Sequence, residues 1–315
     1  MSAAPVVFLM GPTASGKTDA AVAVVERLPV DIVSVDSAMV YRRLDIGTGK
    51  PEPAVLARAP HRLIDVREPF EAYSAAEFAR DARREIAAIL AAGRVPLLVG
   101  GTGLYFRALR RGLAELPAAD ESIRAALAAE AATIGWAAMH ARLAMVDPAT
   151  AARVHPNDPQ RIQRALEVHA VTGEPMSALL ARGRDNALPW PVLALAMVPT
   201  DREWLHRRIA RRFDHMLELG LVEEVVALRG DARVTRDLPA MRAVGYRQVW
   251  EHLDGECDAP AMRARAVHAT RQLAKRQLTW LRGEPDLACV PCDGADAVAR
   301  ILARVADVVA SRSRR

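Results

Sequence analysis

Cysteine and lysine are both scarce in this chain, and each scarcity removes a class of explanation. Among 315 residues there are 3 cysteines, Cys257, Cys289 and Cys292. They are too few, and odd in number, for a disulfide framework. Cys289-Val290-Pro291-Cys292 is a C-x-x-C, but no second pair and no histidine cluster accompanies it. Filler beside a late strand is a plainer reading than metal or redox use. No apolar run approaches the roughly 18 residues that a membrane span needs. Met1-Ser2-Ala3-Ala4-Pro5 also lacks the charged-then-apolar layout of a signal peptide. The expectation is a cytoplasmic protein without membrane contact, and nothing implies an obligate protein partner.

What is present starts with size and charge. Half the residues, 51%, are hydrophobic, so a sizeable core can form in one large domain or two ordinary ones. The formal net charge of +5 is compatible with a polyanionic partner without requiring one. Of the 43 basic residues only Lys17, Lys50 and Lys275 are lysines. A chain so biased towards arginine keeps lysine where a compact ammonium is needed.

Lys17 sits in the stretch that organises the rest, Gly11-Pro12-Thr13-Ala14-Ser15-Gly16-Lys17-Thr18. It follows the apolar run Val6 to Met10 and precedes an Ala/Val-rich helical segment, Asp19 to Leu28. Strand, glycine-rich turn and helix start form the context that a nucleotide- or phosphate-binding loop of pattern G-x-x-x-x-G-K-[ST] requires. The glycines let backbone N–H groups turn onto an anion, and the helix N-terminus adds its positive end. Lys17 supplies a point charge, and the Thr18 hydroxyl is placed to ligate Mg²⁺.

Asp31 to Val35 reads as a second strand, with Asp36 at its carboxyl end on the ligand-binding edge of a parallel sheet. The competing readings of Asp36 at that position are a helix N-cap or the Mg²⁺-ligating carboxylate of an ordinary NTPase. Asp45 to Pro51 is a polar, glycine-rich loop carrying Lys50, and Arg62 to Val66 reads as another strand. Ala75 to Ala92 has helical spacing and stops at Gly93. Pro96 to Val99 is a buried strand running into Gly100-Gly101-Thr102-Gly103, with no carboxylate where an NTPase often places one. The alternation implies an α/β fold, a P-loop doubly wound parallel sheet core over residues 1–116 and 189–315. Residues 117–188 are Ala-rich without a convincing strand and read as an all-helical insertion domain.

Within the insertion, Asn157-Asp158-Pro159 caps a helix that Gly173 closes. Ile162, Leu166, His169 and Ala170 make its apolar stripe, while Gln160, Arg161 and Arg164 share the other side as a solvated face. Val192 to Met197 is a strand. The helix after it, Arg202 to Leu219, carries Arg208 and Arg212 on one stripe. Two later stretches interleave basic and aromatic side chains. They are Arg242-Ala243-Val244-Gly245-Tyr246-Arg247 and, ending a long helix from Ala261, Lys275-Arg276-Gln277-Leu278-Thr279-Trp280-Leu281-Arg282. Such stretches suit single-stranded nucleic acid, because phosphates take the charge and bases stack on rings. A basic helix end covering the core is the competing reading.

Taken in order, GPTASGKT, SVDSAMVY, DIGTGKP, GGTGLY, HPNDPQRIQRALEV, RAVGYRQ and KRQLTWLR resemble one family, the bacterial tRNA dimethylallyltransferases (tRNA isopentenylpyrophosphate transferases). The motifs run from residue 11 to residue 282. The loop alone is shared with many NTPases, but the ordered set is specific. The resemblance implies transfer of a dimethylallyl group from dimethylallyl diphosphate to N6 of the adenosine 3′ of the anticodon. It implies that the loop from Thr13 to Thr18 holds diphosphate rather than ATP, with Mg²⁺ as cofactor; the shared stripe of Arg208 and Arg212 makes one of them the expected further clamp. Asp36 would be the general base, supported by Thr102. Contacts to the tRNA anticodon stem-loop would come from Asp36-Ser37-Ala38-Met39, Thr102, Arg124, Gln160-Arg161-Ile162-Gln163-Arg164, Arg242 to Arg247 and Lys275 to Arg282. Gly49 stands where many relatives carry Ala, a change expected to touch no chemical group. No zinc-finger extension of the kind found in eukaryotic relatives is expected, which fits Cys289 and Cys292 being unliganded. Prenylation of free adenine nucleotides and phosphoryl transfer by a P-loop NTPase or kinase stay open as alternatives. A non-catalytic RNA-binding protein would leave Lys17 and Asp36 without a task.

Overall fold

The computed structural model describes residues 5–114, 116–182 and 187–313. Its strands are β1 (Val6–Met10), β2 (Val30–Val35), β3 (His61–Arg62), β4 (Val95–Gly100), β5 (Val192–Val198) and β6 (Leu287–Pro291). They form one six-stranded sheet in the order β3-β2-β4-β1-β5-β6, and every pairing is parallel. A parallel sheet must be covered on both faces, so its strands are apolar throughout. β1 shows how one strand serves two cores. Val6, Phe8 and Met10 pack with Phe78, Ile86 and Phe106, whereas Val7 and Leu9 pack with Val24, Ile301 and Val305. Each large apolar side chain so buried contributes about 1.5–3 kcal/mol.

The helices over the first face are Ala75–Ala91 and Gly103–Arg111, and those over the second are Lys17–Val25 and Ala297–Ser313. The first of these begins where the sequence encodes it. Ser74 Oγ accepts from the Glu77 N–H at 3.1 Å, and Glu77 Oε2 accepts from the Ser74 N–H at 2.8 Å, a reciprocal capping box. Phe78, Ala82, Ile86 and Ile89 then face the sheet.

One local reading is corrected and one omission is explained. The strand expected over Arg62 to Val66 is only His61–Arg62. Leu63 (φ 63°) and Asp65 (φ 55°) take left-handed backbone, which ends extended pairing. Gly100, at the place where an NTPase often carries a carboxylate, has no room for any side chain. A Cβ there would meet the Val35 carbonyl oxygen at 2.0 Å, because β2 and β4 run level to Val35 and Gly100.

The chain divides into two compact units, Met1–Arg110 with Leu188–Arg315 and Arg111–Ala187. The first holds the sheet and also a helical layer. That layer is made by Arg202–Glu218, Leu221–Arg229, Tyr246–Leu253 and Ala259–Arg282, packed through Ile209, Phe213, Val225, Tyr246 and Ala266. Among its described residues the second unit is helical only, with a core of Leu127, Met139, Leu143, Ile162, Ala165 and Leu166. Its Pro159–Thr172 helix starts on Asp158, whose carboxylate accepts from the Arg161 N–H at 3.2 Å, and ends on left-handed Gly173. Ala170, expected in the stripe, is exposed. The buried arc turns instead through Ala165, Glu167 and Val168. No helix among the described residues is long and apolar enough to cross a membrane.

Candidate active site

β1 delivers the chain to the carboxyl edge of the sheet between β4 and β5, and the loop Gly11 to Thr18 turns there. Ala14 (φ 63°) and Gly16 (φ 88°) take left-handed backbone, and the Lys17–Val25 helix starts directly after Gly16. The first N–H groups of that helix have no partners within it. Lys17 folds back over the loop, donating to the Pro12 carbonyl at 2.6 Å and to Ser15 Oγ at 3.4 Å. Burial, with Arg212 nearby, lowers its pKa to about 7, while Asp36 works in the opposite direction.

Two arginines of the Arg202–Glu218 helix close round this lysine. Arg208 Nε donates to the Ala14 carbonyl at 2.8 Å, and Arg212 Nη2 donates to the Thr48 carbonyl at 3.1 Å. Burial lowers the Arg212 pKa; Asp36 and Asp19 raise it, and Arg208 lowers it further. Two guanidiniums and an amine whose charged form burial disfavours thus crowd one partly buried place beside the carboxylates, Asp36 and Asp19, that act on them. An anion of charge −2 or more arriving there relieves their mutual repulsion. Gly49, the expected silent position, packs directly on this cluster. Its backbone is left-handed (φ 65°), and a Cβ there would meet Arg212 Nη2 at 2.0 Å.

Across the cavity stands Asp36. Its Oδ1 accepts from the N–H groups of Ala38 at 2.8 Å and Met39 at 3.2 Å, so the turn after β2 fixes the carboxylate. Thr102 braces that turn: its Oγ1 accepts from the Ser37 N–H at 3.2 Å. Gln277 ties two loops together, accepting from the Thr13 N–H at 2.8 Å and donating to the Gly101 carbonyl at 3.0 Å. The resulting cavity of about 650 Å³ is lined by Lys17, Thr18, Asp36, Thr102, Arg212 and Trp280, among others. Trp280 lies against Gly103, where a Cβ would meet the indole at 2.4 Å, and it stacks on Phe106 with ring centroids 6.2 Å apart.

The expected nucleic-acid residues divide sharply. Ala38, Met39, Arg242, Ala243, Val244 and Arg276 line the cavity, and Ser37, Lys275, Thr279 and Arg282 are exposed. Tyr246 is a correction. Its ring is fully buried and its hydroxyl donates to Glu224, so no base can stack on it. Ile162 and Leu281 are core residues, and Leu278 packs against the core. Gln277 braces the loops, and Arg247 is paired with Glu251 at 3.0 Å.

In the second unit Gln160 and Arg161 are exposed, but Gln163 donates to the Arg124 carbonyl at 2.9 Å. Arg164 and Arg124 both donate to the buried Glu167, at 2.9 and 3.0 Å. Arg164 also donates to the Pro117 carbonyl at 2.6 Å. Glu167 therefore makes them internal structure first.

Two residues that the sequence left without a task have one. Glu224 accepts from the N–H groups of Asp45 (3.0 Å), Ile46 (2.8 Å) and Gly47 (3.2 Å) as well as from Tyr246. It thereby holds the loop whose Thr48 carbonyl receives Arg212. Nothing in LVEEVV marks one glutamate for this; only the fold, which closes the 177 residues between Gly47 and Glu224, does. The Lys50 side chain is buried and donates to the Tyr41 carbonyl, Asp45 and Asp65 at 2.5–2.9 Å, pinning the other end of the same loop. The Cys292 thiol is buried and pushed up to about 11, Cys289 is exposed, and no metal-binding cluster of histidine, cysteine and carboxylates occurs among the described residues.

Fold and site together define the class, a parallel α/β protein with clustered cationic side chains at the carboxyl edge of its sheet. The family described as IPP transferase matches residues 39–284, and the chain belongs to it. Curated relatives called tRNA dimethylallyltransferase are 60% identical in Thioalkalivibrio sulfidiphilus (96% of this chain, 94% of the relative) and 60% identical in Thiobacillus denitrificans (96% of each). The full-length tRNA isopentenylpyrophosphate transferase of Bacillus halodurans is 34% identical with a TM-score of 0.69, covering 98% of both chains. A eukaryotic dimethylallyltransferase captured acting on tRNA shares the fold, with a TM-score of 0.82 at 23% identity over 98% of this chain and 80% of that one.

Proposed function

We propose that the chain is a cytoplasmic enzyme that transfers the dimethylallyl group of dimethylallyl diphosphate to N6 of the adenosine 3′ of the anticodon in tRNA, releasing diphosphate. The observation that carries this reading is one cavity with a cationic end, Lys17 and Arg212, and a carboxylate end, Asp36. A departing diphosphate and an amine losing a proton need those two ends. The loop Gly11 to Thr18 is the phosphate-binding loop of this reading, and the helical second unit is an insertion into the sheet domain. Adenine N6 attacks the allylic carbon, the C–N bond forms as the C–O bond breaks, the diphosphate keeps the bonding pair, and the N6 proton passes to Asp36. A positioned base contributes roughly 10²–10⁴-fold, and each preorganised donor at the departing charge about 3–4 kcal/mol.

The residues present fit Mg²⁺. Thr18 lines the cavity beside Lys17, and the hydroxyl at the end of such a loop is a Mg²⁺ ligand, with substrate phosphates and water completing the shell. When bound, the ion would neutralise developing charge on the diphosphate. Thr102 acts by holding Ser37, and so the Asp36 turn, in place.

The test is incubation with dimethylallyl diphosphate and unmodified tRNA, followed by mass analysis of the nucleosides. A gain of one isoprene unit on an adenosine of the tRNA is the expected result. A gain only on free adenine nucleotides, or phosphoryl transfer instead, would overturn it.

A further inference from the structure

Two stretches of the chain, DIGTGKP and RAVGYRQ, place no reacting group in the transfer just described. They meet at Glu224. The carboxylate accepts through Oε2 from the Asp45 and Ile46 N–H groups, and through Oε1 from the Gly47 N–H and the Tyr246 hydroxyl. Two donors on each oxygen fill the acceptor capacity of a carboxylate. A glutamine in its place has one oxygen and would turn an N–H donor towards donors.

The loop held this way is packed between an aromatic ring and a cation. A Cβ on Gly47 would meet the Tyr246 ring at 2.5 Å, and one on Gly49 would meet Arg212 Nη2 at 2.0 Å. Between those glycines, the Thr48 carbonyl accepts from Arg212 at 3.1 Å. Arg212 shares its place with Lys17 and Arg208, which repel it, and with Asp36 and Asp19, which attract it, so its position is set by opposing charges. A guanidinium so placed stays aimed at the cavity only if its acceptor is fixed, and the acceptor is no firmer than its loop. Glu224 fixes one end of that loop and Lys50 the other.

We propose that Glu224 is a positioning residue for the transfer, setting through the Asp45 to Lys50 loop where Arg212 stands against the departing diphosphate. The inference rests on the reading of the cavity as the site of dimethylallyl diphosphate. Glu224 touches neither substrate. Its contribution is preorganisation of a cation that would otherwise reorient when charge develops, and Tyr246 serves the same end by holding Oε1.

The experiment uses the full chain and four variants, Glu224→Gln, Tyr246→Phe, Arg212→Ala and the double variant Glu224→Gln/Arg212→Ala. Affinity for dimethylallyl diphosphate is measured by calorimetry at a temperature where each variant is folded, and affinity for the anticodon hairpin is measured beside it. Loss of the charged contact in Arg212→Ala is expected to weaken diphosphate binding about tenfold or more. Glu224→Gln is expected to weaken it about three- to tenfold, in the range of coupling carried through an intervening element. The double variant is expected to be no weaker than Arg212→Ala alone, because Glu224 has then lost the group it acts through. Hairpin affinity is expected to stay at the parent value. Tyr246→Phe is expected to show a smaller loss of the same kind, and it carries the test if Glu224→Gln does not fold. Losses that multiply in the double variant would overturn the inference. So would a folded Glu224→Gln protein with a lower melting temperature and parent-like diphosphate affinity, since the residue would then serve stability alone. Failure of the parent chain to bind dimethylallyl diphosphate would instead sink the reading of the cavity itself.

Discussion

At the scale of single residues, the site works through groups that are individually ordinary and jointly unusual. Asp36 is held by two backbone N–H groups on one oxygen, so Asp36→Asn keeps the acceptor and the turn while removing basicity. Turnover should fall by about two orders of magnitude or more with diphosphate affinity nearly unchanged. Single-turnover rates with saturating tRNA check this, and near-normal rates would remove Asp36 from the chemistry. Lys17 gives a prediction in pH. Burial holds its pKa at about 7 against an ordinary 10.5, so between those values the unfolded chain binds the extra proton. Stability therefore rises with pH across that window as far as this group is concerned. A diphosphate ligand reverses the balance by favouring the ammonium, so its binding should take up a proton just above pH 7 and weaken as pH rises. Calorimetry in two buffers of different ionisation enthalpy measures the uptake. Lys17→Ala should abolish that part of it, and a variant with unchanged uptake would place the titration elsewhere.

At the scale of elements, what a local pattern encodes was legible and what a distant partner encodes was not. The turn after β1, the carboxyl end of β2 and the Asp158 cap are each written within a few consecutive residues, and the helix from Ala75 to Ala91 within its own periodicity. Glu224, Gln277 and Tyr246 are different, because their meaning lies in partners 22–264 residues away. A tyrosine between arginines looks like a stacking ring until the fold buries it under the Asp45 to Lys50 loop. The two basic stretches therefore make opposite predictions for RNA. Lys275 is exposed on the Ala259–Arg282 helix and has no carboxylate within ion-pair distance among the described residues. If it meets a phosphate, Lys275→Ala should reduce the slope of log hairpin affinity against log salt by about 0.7. Tyr246→Ala, assayed at a temperature where it is folded, should leave both slope and affinity at parent values, because the ring never reaches RNA. Salt titrations of the two variants decide it, and a Tyr246→Ala loss of about 1–3 kcal/mol, the worth of a stacked base on removal of its ring, would contradict the buried ring. The strands offer a harsher test of packing. Gly100→Ala puts a Cβ against a backbone oxygen at 2.0 Å between two paired strands, and overpacking of this kind costs about 1–3 kcal/mol or more. A melting temperature equal to the parent's would mean that β2 and β4 separate there more easily than their register implies.

At the scale of the whole molecule, the two compact units have separate apolar cores and separate buried carboxylates. Leu127, Met139, Leu143 and Ile162 belong to one core and share no member with the three cores of the other unit. In the second unit, burial pushes the Glu167 carboxyl up, but Arg164, the Asp120 N–H and Arg124 outweigh it and hold the group below its ordinary value of 4.5. The folded pKa is therefore the lower one. The stability this carboxylate confers is present above pH 4.5 and lost as pH falls through the folded value. Removing it outright, in Glu167→Ala, leaves two arginines facing a buried gap. The cost is about 3 kcal/mol, the low end for a broken buried pair, because Arg124 is 44% exposed. If each unit's stability rests on its own core, that cost falls on residues 111–187 alone. Limited proteolysis of Glu167→Ala should then cut within that segment first, while binding of dimethylallyl diphosphate persists, since Lys17, Arg208 and Arg212 belong to the other unit. Loss of diphosphate binding in step with proteolysis would show that the two units unfold as one.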